Sequence, residues 1–164
     1  MKTQIATASK LFNAPVEEIY NIIADYRHGH PHILPKPYFL SLDVEDGGFG
    51  AGTIVQFQMR LLGQTQSFRS LITEPEPGRV LVETDLKSGI PTSFTVESAG
   101  DYHQTRVRIS TELKGRNALE GFIAKVILQK VYSQELELLA KLSENNAEFK
   151  NPAQTGHVHS TSSK

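Results

Sequence analysis

The stretch "NAPVEEIYNIIADY", residues 13–26, decides the reading of the chain. Pro15 suits the first turn of a helix, where its missing N–H costs nothing. Asn13 stands just upstream as the expected cap. Glu17 and Glu18 fall in the first turn, where carboxylates complement the helix dipole. Val16, Ile19, Tyr20 and Ile23 follow the i, i+3, i+4, i+7 spacing, so one face is apolar. The spacing predicts a short amphipathic helix over residues 15–26. Upstream, residues 4–11 alternate weakly and hold Ile5 and Leu11, which suits a first strand.

Downstream comes "DYRHGHPHILP", residues 25–35, with His28, His30 and His32. Pro31 biases His30 toward extended angles, so His28 and His30 could share a side. Pro31 also suits the start of a second short helix. Ile33 and Leu34 would then dock on the core, and His32 would turn away. A metal site needs at least three converging ligands, and no HExxH or comparable spacing occurs, so none is expected here. Asp25 ends the first helix, the wrong end of the dipole for an acid. Its expected task is local: pairing with Arg27, or accepting N–H groups of the next turn.

Residues 37–113 change period. Leu40, Leu42 and Val44 alternate with polar residues. So do Val55, Phe57, Met59 and Leu61; Phe68 and Ile72; Phe94 and Val96; and Val107, Ile109 and Leu113. Turn signals such as "EDGGFGAG", "LGQ", "EPEPG" and "KSGIP" separate the runs. About six strands with short connections make an antiparallel meander with one apolar and one wet face. Arg60 and Arg69 fall on the wet face.

From about residue 117 to 143 there is no proline and one glycine, Gly121. Leu119, Phe122, Ile123 and Val126 share a face in the first half. Leu128, Val131, Tyr132, Leu136, Leu139 and Leu142 spread over a broader face further on. Glu135 and Lys141 are left for the wet side. A helix of about 27 residues is roughly 40 Å long and can cross the whole sheet. The order strand, helix, short helix, six strands, long helix means an α+β layer fold. Its domain covers residues 1–144; the polar stretch 145–164, with His157 and His159, is expected to be a disordered tail.

The bulk numbers fit one domain of 164 residues. Lys plus Arg is 17 and Asp plus Glu is 18, so nothing global points to nucleic acid or an anionic membrane. No cysteine is present, which excludes disulfides, thiolate metal sites and cysteine nucleophiles. No signal peptide and no run of membrane-spanning length is seen, so a cytoplasmic location is the default expectation. Oligomeric state is not legible.

The sequence also resembles a known family. "APVEEIYNIIADY" is similar to the opening of the START-like (SRPBCC) superfamily, the helix-grip fold, in its polyketide cyclase/dehydrase-like branch. The matching positions are Ala14, Pro15, Glu17 or Glu18, Ile19 with Tyr20, and Asp25. "HILP", "ITEPEPGRVLVET" and "TRVRISTEL" match later segments, so the resemblance spans residues 4–143. It implies a curved antiparallel sheet of about seven strands around the long C-terminal helix, with two short helices after the first strand. It also implies an apolar cavity for a lipid, polyketide or similar molecule. No cofactor is implied and no family-wide catalytic residue carries over, since this fold hosts several activities.

Alternation assigns Val55, Phe57, Met59, Phe68, Phe94, Val107, Ile109, Phe122, Ile123 and Val126 to the pocket wall, or equally to a packed core. The family places the histidine segment beside the cavity entrance, where His30 could hold a ligand's polar head. Glu83, in "RVLVETD", faces inward if Leu81 does and outward if Val80 and Val82 face in. An outward Glu83 is expected because buried unpaired Glu is rare; an inward one could act as acid or base. The leading expectation is a non-enzymatic carrier or sensor of a hydrophobic small molecule. The second is a cyclase or dehydratase using Glu83, Asp25 or His30. The third is an interaction module with a filled core.

Overall fold

Strand β1 (Thr3–Phe12) opens the chain, and the middle of its inward face is small. Ala6 is fully buried and Ala8 packs against the core, whereas Ile5 and Leu11 are each 49% exposed. The expected first strand is present, with Ile5 and Leu11 on its outer face. The reason lies across the layer: the C-terminal helix packs chiefly on β1, and small residues allow its close approach.

In this computed structural model residues 3–114 and 117–150 are described. After β1 come α1 (Val16–Ala24), a single 3-10 turn (His30–His32) and six strands. The strands are β2 (Phe39–Asp46), β3 (Ile54–Leu61), β4 (Gln64–Glu76), β5 (Val80–Asp85), β6 (Pro91–Ala99) and β7 (Asp101–Lys114). Helix α2 (Ala118–Lys150) ends the described chain. All seven strands form one antiparallel sheet in the order β1-β7-β6-β5-β4-β3-β2. This is the helix-grip arrangement.

Helix α1 starts at Pro15, whose carbonyl accepts the amides of Glu18 and Ile19; no side chain caps it, so Asn13 does not take that role. Ile19, Tyr20, Ile22, Ile23 and Ala24 are its buried residues. The buried Thr105 hydroxyl of β7 donates to the Ala14 carbonyl at 2.6 Å and ties the helix start to the sheet. At the other end, Tyr26 N–H donates to Gly48 and Gly50 N–H to Ala24, which pins the helix against the β2–β3 loop.

In β2 the register slips between Phe39 and Ser41, so Leu40 bulges outward and is 43% exposed. Hairpin β3–β4 closes with the two residues Leu62 and Gly63, both at positive φ (50° and 76°). That geometry suits the right-handed twist of the strands.

Helix α2 continues to Lys150, so the expected tail begins as helix; residues 151–164, with His157 and His159, lie outside the described residues. Its buried residues Val131, Tyr132, Leu136 and Leu139 join the core. Glu135 is buried with them at 3% exposure, against its expected place on the wet side.

The joint after α1 is tight. Asp25 Oδ1 accepts the amides of Arg27 (3.1 Å) and His28 (3.0 Å), while Arg27 turns to the Gly47 carbonyl. Gly29 lies against the Ile22 backbone, and a Cβ there would stand 2.5 Å from the Ile22 oxygen. Gly29→Ala should therefore lower stability by about 1–3 kcal/mol, the usual range for overpacking. Urea unfolding checks this; an unchanged midpoint would show that the joint yields freely.

Candidate ligand cavity

A cavity of about 520 Å³ lies between the concave face of the sheet and α2. Strands β3, β4 and β6 supply most of its apolar wall through Val55, Phe57, Met59, Phe68 and Phe94, and Ile90 of the β5–β6 turn adds to it. Phe57 stacks on Phe68 with ring centres 5.2 Å apart, and Phe39 leans on Phe57 at 5.8 Å. Helix α2 closes the other side with Ala124, Ile127, Leu128 and Tyr132. Among the lining residues, Leu62, Gln64, Gln66, Ser88, Glu120 and Ile123 are exposed, and they frame the opening.

The buried end is polar. Leu81 of β5 is fully buried opposite Phe94, and Glu83, two residues on, points inward with it. The buried Tyr26 hydroxyl donates to Glu83 Oε1 at 2.5 Å. His30 is 2% exposed, its ring stacked on Tyr26 at 4.4 Å and edge-on to Phe94. Its Nδ1 lies 2.7 Å from the Ile23 carbonyl. A carbonyl only accepts, so Nδ1 carries a proton. Nε2 then faces Glu83 Oε1 at 3.5 Å, within ion-pair reach. Burial first, then the Glu83 charge and hydrogen bond, push the Tyr26 hydroxyl well above the ordinary phenol range, so it stays a donor.

On the helix side, Tyr132 shares a 2.5 Å hydrogen bond with Thr111, which bonds Thr92 at 2.7 Å. Burial pushes Tyr132 up to about 12, against the opposing effect of the threonine hydroxyls. Glu135 lines the same space. Its carboxyl has no hydrogen-bond partner among the described residues, and burial, followed by the charge of Glu83, pushes it well above the ordinary carboxylate range. Asp85 is different. Burial works against its charge, but the Ser88 hydroxyl and amide and the Arg69 amide hold its carboxyl below the usual value.

Comparison with known proteins agrees with this architecture. Residues 3–144 match the family described as polyketide cyclase / dehydrase and lipid transport. The chain belongs to this family. No curated protein matches the sequence. Among solved structures, the KanY protein is 25% identical with a TM-score of 0.77, over 88% of this chain and 99% of that one. A START superfamily protein from Mycobacterium smegmatis is 12% identical with a TM-score of 0.68, over 87% of this chain and 98% of that one. The Zhui aromatase/cyclase from a Streptomyces species is 16% identical with a TM-score of 0.65, over 96% and 100%. The latter two likenesses concern the fold.

Within this family's fold, the expected wall residues divide. Val55, Phe57, Met59, Phe68, Phe94, Ile123 and His30 line the cavity. Val107 and Ile109 do not; they are buried in packed core, because β7 lies beside β1 where α2 is seated. Phe122 and Val126 point outward at 57% and 49% exposure. The phase set by buried Val131, Tyr132 and Leu136, carried back along the helix, brings Ala124, Ile127 and Leu128 inward instead. His30 sits at the buried end and not at the entrance. His28 is exposed, so the two do not share a side. Asp25 is outside this cavity and spent on backbone amides. Among the described residues no group of His, Asp and Glu could hold a metal ion. No helix among them is long and apolar enough to cross a membrane. A filled core, the third expectation, does not fit the cavity.

Glu135 ties stability to pH. A carboxyl raised in the folded chain and ordinary in the unfolded one holds its proton more tightly when folded. Its contribution is fully present below the unfolded pKa and is lost as pH rises toward the folded one. Glu135→Gln removes that loss. The variant should outlast wild type in urea at about pH 8 and match it at about pH 4, below which an ordinary Glu is protonated. Equal midpoints at both pH values contradict the assignment.

Proposed function

We propose that this protein binds a hydrophobic small molecule in the cavity between sheet and α2, as a carrier or sensor. The cavity carries the reading: about 520 Å³, with a largely apolar wall and the polar groups His30 and Glu83 at its buried end. Ligand sites typically occupy about 300–1,000 Å³ and combine an apolar wall with a few placed polar groups. The wall residues Val55, Phe57, Met59, Phe68 and Phe94 would hold the apolar body, while His30 and Glu83 would meet its polar end. The family description, with its mention of lipid transport, supports the same class of ligand.

A second reading rests on the Tyr26–Glu83–His30 arrangement. Glu83 faces an imidazole whose orientation is fixed by the Ile23 carbonyl, beside space for a substrate. That set could take a proton from carbon next to a carbonyl and return it to oxygen, the elementary work of a cyclase or dehydratase. Under this reading Glu83→Gln lowers turnover by about a hundredfold or more.

The binding reading is tested with Nile red, a neutral apolar dye, and with native mass spectrometry. Wild type should take up the dye. Leu128→Trp, which fills space on the α2 wall, should weaken uptake by about tenfold, or 1.4 kcal/mol, with the melt retained. Uptake unaffected by Leu128→Trp would place the dye elsewhere.

A further inference from the structure

The charges around the cavity are one-sided. Glu83, Asp85, Glu120 and Glu135 line it, and among the described residues no Lys or Arg does. These carboxylates differ in their state. Asp85 is engaged by Ser88 at the β5–β6 turn. Glu120 is exposed in the first turn of α2. Glu83 accepts from Tyr26 and faces His30. Glu135 alone is buried, at 3% exposure, lines the cavity and has no partner among the described residues.

A buried carboxylate without cation or donor is expensive, and an apolar side chain at that place would pack at no such cost. No described protein group bonds to Glu135, and its oxygens open onto the cavity, where a ligand can reach them. An ammonium supplies the partner: a compact charge with three donors, attracted strongly in a site of low dielectric. Glu135 and Glu83 can both accept from it, and Tyr132 offers a hydroxyl oxygen from the same wall. A carboxylate or phosphate headgroup would meet like charge there.

We propose that the cavity takes hydrophobic amines, with the ligand's ammonium between Glu135 and Glu83 and its apolar body against Phe57, Phe68 and Phe94. This rests on the binding-cavity reading above and names the ligand class. Binding draws Glu135 into its ionised form, and its proton leaves to solvent.

The test is displacement of Nile red from the full chain by decylamine, decanol and decanoate, which share one apolar tail. Decylamine should displace the dye at a concentration lower than either of the others by about tenfold or more. Glu135→Gln should reduce its affinity to that of decanol. Decanol or decanoate matching decylamine on wild type overturns the proposal, as does an amine preference that survives Glu135→Gln. The wild-type ranking decides even if a variant folds poorly. Wild type that takes up no Nile red overturns the binding-cavity reading and this proposal with it, an outcome distinct from binding without amine preference.

Discussion

Helix α2 seats closely on one flank of the sheet, against Ala6 and Ala8 of β1, and the rest of the molecule follows from that contact. Seven strands spaced by about 4.8 Å make a sheet roughly 30 Å across. One helix is about 10–12 Å wide. It cannot cover that face. Because α2 is held at the β1 side, the uncovered area lies over β3 to β6. Helix α1 and the 3-10 turn close part of it with Tyr26, His30 and Ile33, all buried. What remains is the cavity.

The plug that closes the buried end is held by polar bonds as much as by packing. Tyr26 reaches Glu83 on β5, and Tyr20 reaches Glu74 on β4 at 2.5 Å. Both tyrosines come from the α1 segment, and both glutamates from neighbouring strands. Asp25 folds the following turn by accepting two amides, which aims His30 into the site. The chemistry at the closed end is thus a by-product of how the plug is fastened. A second carboxyl, Glu135, is not part of that fastening, and so its presence asks for a ligand.

Much of the frame was legible. The helix at residues 15–26, the meander and the long last helix follow from Pro15, from period-2 alternation and from a proline-free run. The inward face of β3 was readable in Val55, Phe57 and Met59 because polar residues occupy every other position. Where both faces are apolar, as in Val80, Leu81 and Val82, alternation is mute. There Glu83 was expected outward and proved inward. The phase of α2 was misread for a related reason. Its first turns carry apolar residues all round, so Phe122 and Val126 could not be told from Ala124 and Leu128 by period alone. Glu135 was assigned to water because an acid on a helix usually is; only the cavity makes its inward place tolerable. The Tyr26–Glu83 bond joins residues far apart in sequence, and no local pattern announces it.

The account depends on a carboxyl kept in an apolar cavity without a protein partner. Carbon-detected NMR of the glutamate side chains across a pH titration measures this directly. One signal, absent from the spectrum of Glu135→Gln, should titrate well above the ordinary carboxylate value of about 4.3. If every glutamate titrates together in the ordinary range, Glu135 is solvated, and the cavity's charge arrangement is not as described.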